Sequence, residues 1–207
     1  MNAPVSCAAM MLNLSLLLPN VSSADELGDL KARVAALEAR LATLEEALKP
    51  VMSELSAKQS REQNQQRARQ RMREDREKYS DQQLREIESL YQVANKKWRT
   101  AEAQQSLEQL IGKYDKANRT GCAILYLGQM STGDEKLKYL KQAIEHGDCF
   151  YGDGVQVGAY ARFHLAHHYL SQGKNAEAEK LFDEIRKEFP DAVDHKGNRL
   201  ENAIPKL

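Results

Sequence analysis

The sequence predicts an all-α protein in which an N-terminal parallel coiled coil precedes a C-terminal α-solenoid of helical repeats. Three observations predict this class: a heptad repeat of apolar residues, a charged fraction of 29% with few aromatic residues, and helix-pair motifs in the C-terminal half. The 30 basic and 30 acidic side chains balance, so net charge favours neither nucleic acid nor an acidic substrate as a partner.

The first 24 residues carry no charged side chain and include an apolar run at 8–18, too short to span a bilayer. Pro19 and the small residues 22–24 follow, a pattern typical of a signal peptide cleaved before Asp25. A basic n-region is missing, and an apolar tail that is disordered or bound to a partner is the alternative. We therefore expect an exported protein without an integral membrane span after cleavage, and leave a cytoplasmic protein open.

Residues 25–56 carry apolar side chains at alternating steps of three and four, which is the period of a coiled coil. Burying one such side chain contributes about 1.5–3 kcal/mol, and a lone helix would leave all of them in water. We expect another helix to cover them. The members of this heptad seam are Leu27, Leu30, Val34, Leu37, Leu41, Leu44, Leu48, Val51 and Leu55.

The charges beside the heptad seam indicate how the helices associate. Arg33 and Arg40 fall at g positions, and Glu38 and Glu45 at the following e positions, so a parallel in-register assembly pairs them. Two consecutive runs also resemble the Arg-h-x-x-h-Glu signature (h, apolar) of three-stranded coiled coils, in which Arg forks onto a neighbouring Glu. We expect a homotrimer, with a dimer as the alternative.

Pro50 lacks the amide proton of a helix interior, so the regular helix is expected to kink or end near Lys49. Residues 57–83 are nearly free of apolar side chains and are interpreted as a solvated helical stalk or a partly disordered linker. Their many arginines also suggest a patch for nucleic acid or an anionic membrane. Interleaved acidic residues and the lack of stacking aromatic residues at 58–78 argue against nucleic acid.

Residues 84–207 change to pairs of short amphipathic segments followed by a tail. Residues 159–192 resemble a tetratricopeptide (TPR) repeat, a unit at 84–117 fits in part, and a degenerate unit at 118–150 precedes the inserted loop 148–154. Such pairs bury their faces only by stacking on their neighbours. The residues that carry the resemblance are Leu165, Ala166, Tyr169, Gly173, Ala178, Phe182, Ile185 and Pro190.

A coiled coil joined to TPR-like units behind an apparent signal peptide is similar in layout to the periplasmic YbgF/CpoB-type proteins, which bind TolA. This resemblance implies a non-enzymatic scaffold for protein partners in the bacterial envelope or in cell division. The loop 147–154 and the tail 193–207 depart from that family, so a distinct TPR protein with the same layout is the alternative. Function inferred this way is an analogy.

The TPR resemblance also implies that the first helix of each pair lines a concave groove that contacts a peptide. The polar members in the first unit lack the Lys/Asn pattern that captures a C-terminal carboxylate. Phe163 could instead pack against an adjacent helix. Carried over by position, the groove residues are Tyr160, Phe163, His167, Leu170, Arg85, Glu88, Gln92 and Asn95.

Two histidines offer an alternative function. His164 and His168 share a helical face and could bind zinc or copper, with His146, Cys149 and Asp153 from the neighbouring loop as further ligands. Two ligands do not make a site, and the motif H-E-x-x-H is absent. We therefore expect no catalytic residue, no metal and no cofactor. A metal-binding or catalytic protein and a cytoplasmic assembly factor are kept as alternative functions.

Two cysteines remain after removal of the apparent signal peptide. Cys122 lies near the start of one predicted helix and Cys149 just past the end of its partner, so their side chains are expected to be close. In an oxidising compartment they could form a disulfide that contributes about 3 kcal/mol. Two buried thiols are the alternative.

Overall fold

The structure, a computed structural model, describes residues 23–206, and this part of the chain confirms the all-α class. The predicted signal peptide, residues 1–24, lies almost entirely outside the described residues. No helix in the described part is long and apolar enough to cross a bilayer. The helices are α1 (Ser23–Lys78), α2 (Asp81–Lys96), α3 (Ala101–Lys113), α4 (Asn118–Met130), α5 (Gly133–Glu145), α6 (Val157–Ser171), α7 (Asn175–Glu188) and a short 3-10 helix (Leu200–Ala203).

Helix α1 is 56 residues long and contains Pro50 in its interior, so the helix does not end at Lys49. A proline removes one helical hydrogen bond, and here the turns on both sides continue without it. Asp25 and Glu26 in the first turn and basic residues in the last turn suit the helix dipole. The chain divides at Pro50 into two compact units, one ending at Lys49 and one formed by the rest of the chain.

The second unit contains three helix pairs, α2 with α3, α4 with α5, and α6 with α7. The three pairs span residues 81–113, 118–145 and 157–188. Helix α4 is the most deeply buried of these helices, and it packs against α3 as well as α5. The largest fully buried side chains are Phe182, Leu107, Leu110, Ile124, Leu125, Leu127, Leu140, Ile185, Leu200, Val155, Val157 and Val193.

Glycines allow close approach of backbones inside this array. A Cβ added at Gly158, in the first turn of α6, would lie 2.7 Å from the Cα of Gly147. We expect Gly158→Ala to lower the free energy of unfolding by about 1–3 kcal/mol, because backbone atoms would have to move. Urea denaturation of the full chain measures this loss.

Gly112→Ala is the matched control, because a Cβ at Gly112 of α3 meets no atom within 4 Å. Replacing an exposed helical glycine by alanine stabilises a helix by about 0.5–1 kcal/mol. Opposite signs for the two substitutions are therefore expected. Equal effects would mean that the contact between Gly147 and Gly158 is not tight.

Residues 56–78 of α1, here called the rim helix, pack against the array, so the interpretation of this segment as a solvated stalk or a linker is wrong. Its buried residues recur at steps of three or four and form one face of the helix. They are mostly polar, which is why the sequence pattern did not reveal them. The buried residues are Ser60, Asn64, Ala68, Arg71 and Asp75.

One end of the rim helix is fixed by a buried ion pair. Arg71 donates to Asp75 at 2.7 Å and to the carbonyl oxygen of Lys116 at 2.7 Å. The second carboxylate oxygen of Asp75 accepts from the backbone N–H of Asn118 at 2.9 Å. These bonds tie α1 to the loop between α3 and α4 and satisfy buried polar groups.

The rim helix then crosses the two later loops of the array. The Asn64 amide donates to the carbonyl oxygen of Asp191 at 2.7 Å, and the Gln65 amide to that of Asp153 at 3.4 Å. Farther towards the N-terminus, Arg199 donates to the hydroxyl of Ser56 at 2.9 Å. One helix thus contacts the loops that follow all three helix pairs.

The inserted loop and the C-terminal tail are two copies of one hairpin, with residue numbers 43 apart. Phe150 forms an isolated antiparallel bridge with Gln156, and Val193 forms the same bridge with Arg199. Both hairpins turn at a glycine with left-handed φ, at the same place in each copy. The two features that depart from the resembled family are therefore one recurring structural element.

Candidate protein-interaction surfaces

The heptad seam is exposed along its whole length. Its side chains retain between 46% (Val34) and 61% (Leu37) of their accessible surface, and they are joined there by Met52. A contiguous row of large apolar side chains is unfavourable in water and is typical of protein–protein or membrane interaction sites.

The charged residues beside the seam are also exposed. Arg33, Arg40, Glu38 and Glu45 make no ion pair within the described part of the chain. Lys49 does pair with Glu46, which is one turn away on the same helix. The four flanking charges are thus available to a second helix.

The predicted groove residues of α6 are largely packed within the array. Tyr160 and Phe163 are partly buried with parallel rings whose centroids lie 6.2 Å apart. The ring centroids of Phe163 and Phe182 of α7 lie 6.3 Å apart. This contact agrees with the alternative that Phe163 packs against an adjacent helix. Leu170 packs on the same apolar cluster, and only His167 of this set is exposed.

The predicted groove residues of α2 mostly bond to their neighbours. Glu88 accepts from Arg119 of α4 at 2.9 Å, and Gln92 donates to Glu88 at 2.6 Å. Asn95 accepts from the hydroxyl of Tyr126 at 2.7 Å, whereas Arg85 is exposed. The structure therefore places Glu88, Gln92 and Asn95, but not Arg85, in a polar seam between α2 and α4.

Sequence reasoning missed an aromatic group at the end of that polar seam. Trp98 meets Tyr126 edge-on with ring centroids 5.1 Å apart, and Tyr126 stacks on Tyr91 at 5.5 Å. The guanidinium of Arg119 lies 4.3 Å from the centroid of the Tyr91 ring. Trp98 lies in the turn between α2 and α3, outside the positions that the repeat motif singles out.

A second missed group connects the two hairpins. His195 in the tail approaches Asp153 in the loop with an Nδ1 to Oδ2 distance of 2.7 Å. Burial opposes ionisation of Asp153, but the hydrogen bond and charge of His195 hold the pKa of its carboxyl below the ordinary value. The rings of Tyr151 and Tyr160 flank the imidazole at 4.9 and 5.2 Å. These contacts fix the tail against the array.

The two histidines of the alternative metal site have separate partners. The Nε2 of His164 lies 2.9 Å from the side-chain amide of Gln129, and the Nε2 of His168 lies 3.0 Å from that of Gln172. Within residues 23–206, no group of three or more His, Cys, Asp or Glu side chains is placed to hold a metal ion. The geometry gives no support to a metal centre at His164 and His168.

Burial lowers the pKa of His164 from 6.5 to about 4, helped by the nearby positive charges of Lys136, His167 and His195. In the unfolded chain this imidazole is protonated below about pH 6.5, whereas in the folded chain it is protonated only below about pH 4. The free energy of unfolding therefore decreases as the pH falls from about 6.5 to about 4. We expect His164→Gln to reduce the loss between pH 7 and pH 5, measured as the urea midpoint at each pH.

His168→Gln is the control for that measurement, because His168 lies one turn along α6 and is less buried, so burial lowers its pKa less. We expect it to leave most of the pH dependence in place. A steeper or unchanged pH dependence in His164→Gln would show that His164 is not the group responsible.

Cys122 and Cys149 are free and buried in the structure, which agrees with the interpretation as two buried thiols rather than with the possible disulfide. The Cys122 sulfur faces the carbonyl oxygen of Phe150 at 3.5 Å, whereas the Cys149 sulfur lies 3.8 Å from Asp148. Burial raises the pKa of both thiols, to about 12 for Cys149, so neither is a reactive thiolate.

Comparison of the chain with protein-family models, curated proteins and solved structures found no match.

Proposed function

We propose that the protein is a non-enzymatic oligomeric scaffold, in which α1 joins copies of the chain and the helix-pair array binds a protein partner. The array is best explained as a TPR-type solenoid, and the assembly as a parallel homotrimer. Each part of the proposal rests on a different surface of the chain.

The exposed heptad seam carries the proposal. A row of nine large apolar side chains at 46–61% exposure has no role in a monomer, because it costs solvation free energy and contributes no packing. Burying each member in a coiled coil would contribute about 1.5–3 kcal/mol, enough in sum to offset the entropy lost on association.

The flanking charges support three parallel chains. In a parallel register, Arg33 and Arg40 of one helix reach Glu38 and Glu45 of the next. An arginine fork onto a carboxylate adds direction as well as energy, and the Arg-h-x-x-h-Glu run occurs twice. If the assembly is a dimer, the proposed scaffold function is unchanged and only the number of chains differs.

The helix pairs support a role in partner binding. Three pairs in sequence, with small residues at the crossings, are typical of arrays that present a rigid surface to a protein or peptide. Linking three such surfaces would strengthen binding to a multivalent partner by about 10²–10⁴-fold without tighter individual contacts.

Location in the bacterial periplasm belongs to the proposal through the first 24 residues and the layout shared with YbgF/CpoB-type proteins. Those residues suggest cleavage before Asp25. The mass of the protein isolated from its native cells tests this step. An intact Met1 would contradict export and favour the cytoplasmic assembly factor.

Light scattering of the chain across a dilution series tests the scaffold itself. We expect the mass of three chains at all but the lowest concentrations, and a dimer mass would correct the chain number. A monomer at every concentration would overturn the proposal, because the seam would then need a helix from a different protein.

A further inference from the structure

Trp98 is the one large hydrophobic residue outside α1 that is exposed in the described part of the chain, at 42% of its accessible surface. It is also the only tryptophan in the sequence. Tryptophan is the residue most enriched among those that anchor protein interfaces. Its exposed position in the turn at 97–100 therefore suggests a role in binding rather than in folding.

The indole ring lies against Tyr126, and the guanidinium of Arg99 is also near it. Tyr126 supports it edge-on at 5.1 Å, and Tyr126 is itself fixed by stacking on Tyr91 and by donating to Asn95 at 2.7 Å. A ring supported by a rigid second ring loses little entropy when a ligand covers its exposed surface.

The backbone next to Trp98 adopts an unfavourable conformation. Arg99 has φ of 63°, in the left-handed region that is unfavourable for a residue with a side chain. The turn between α6 and α7 achieves the same geometry with Gly173 at φ 72°. An arginine in this place indicates a use for its side chain, whose guanidinium lies 5.9 Å from the Trp98 ring centroid.

Three basic residues, Lys96, Lys97 and Arg99, lie next to Trp98 in the sequence. Lys97 pairs with Glu102 at 2.6 Å. No carboxylate among residues 23–206 lies within ion-pair distance of Lys96 or Arg99, and both are exposed. An exposed aromatic ring with unpaired cations at neighbouring positions of the chain is complementary to an apolar residue flanked by carboxylates.

We propose that Trp98, Tyr126, Lys96 and Arg99 form a docking site for an acidic peptide segment of a partner protein, whose apolar residue covers the indole. The site deepens the proposed function by placing partner recognition at the turn between α2 and α3. Single-stranded nucleic acid is the competing occupant. Nucleic acid is disfavoured because its phosphate backbone requires a longer row of basic residues than this turn has. The carboxylate of Glu102, which pairs with Lys97, would also repel phosphate.

Selection from a display library of random twelve-residue peptides on the full chain tests this site. We expect enriched peptides to combine acidic residues with an apolar or aromatic residue. In titrations of individual peptides with acidic and apolar residues but no tryptophan, binding should change the fluorescence of Trp98. A selection with no enrichment, or one that enriches peptides without acidic bias, would overturn the inference.

Variants locate the binding. Trp98→Ala, and separately Lys96→Glu, are expected to weaken the selected peptides by at least about tenfold. Lys180→Glu on the exposed side of α7 makes the same charge change elsewhere and should leave affinity unchanged. Equal binding by Trp98→Ala, with its fold checked by circular dichroism, or tighter binding of oligo(dT) than of any selected peptide, would exclude an acidic-peptide site here.

Arg99→Gly separates folding from recognition. Removing the left-handed strain should leave stability unchanged or higher, while loss of the cation should weaken the selected peptides. Light scattering on the same samples reports the oligomer independently. If the protein is a trimer but binds no acidic peptide, the docking site is excluded and the oligomeric scaffold stands. If it is a monomer that binds an acidic peptide, the scaffold is excluded and the docking site stands.

Discussion

Leu37→Asp combined with Leu44→Asp is expected to convert the proposed homotrimer into monomers. Both residues lie at d positions of the heptad seam, exposed by 61% and 59% in the single chain. Each substitution removes about 1.5–3 kcal/mol of burial per chain and places a carboxylate in the core of the assembly. Light scattering should give the mass of one chain at concentrations where the unchanged protein is a trimer.

Ala32→Asp combined with Ala39→Asp is the matched control. It adds the same two charges to the same helix at f positions, which face away from the seam. The control should keep the oligomeric mass. If both double substitutions dissociate the assembly, the added negative charge, rather than its place in the seam, controls association. If neither does, the oligomer is held together elsewhere.

The double substitution also separates the two roles of the proposed scaffold, association of chains and binding of a partner. Binding of one peptide to one array should survive dissociation, because the array has its own apolar core. Binding to a surface coated with that peptide should weaken by the avidity factor of about 10²–10⁴. Loss of both would mean that the array depends on the oligomer.

The sequence predicted the helices best where apolar side chains repeat. The heptad seam and the helix pairs followed from periodicity, because each has one face made of large apolar residues. The same principle explains the main error. The rim helix buries Ser60, Asn64, Arg71 and Asp75, which an apolar pattern does not detect, since their partners are loop atoms far along the chain.

The candidate sites were predicted less well than the fold. The groove positions carried over from the repeat motif reach α2 and α6 but include neither Trp98 nor His195. Trp98 lies in a turn that has no assigned role in the motif, and His195 reaches Asp153 through a hairpin interpreted as an unusual tail. Contacts between loops depend on the stacked array and cannot be derived from local spacing.

The rim helix leads to the second large effect. Arg71→Ala is expected to lower the free energy of unfolding by about 3–5 kcal/mol, because it leaves the Asp75 carboxylate buried without its cation. The side chains of this pair are only 11% and 7% exposed, so water cannot readily replace the lost partner. The carbonyl oxygen of Lys116 also loses its donor. Urea denaturation of the full chain measures the change.

Arg69→Ala is the control, since Arg69 is exposed on the same helix two residues away and makes no ion pair among the described residues. Its effect should stay within about 0.5 kcal/mol. The double variant Arg71→Met with Asp75→Leu removes both charges and should recover part of the loss, because no buried charge remains alone.

These outcomes decide what the rim helix is. A large loss in Arg71→Ala with partial recovery in the double variant means that residues 56–78 belong to the folded array and bind its loops as an integral element. Small and equal effects of Arg71→Ala and Arg69→Ala would mean that the segment separates readily from the array, as a stalk would. In that case the loops that it covers would be free to bind a partner.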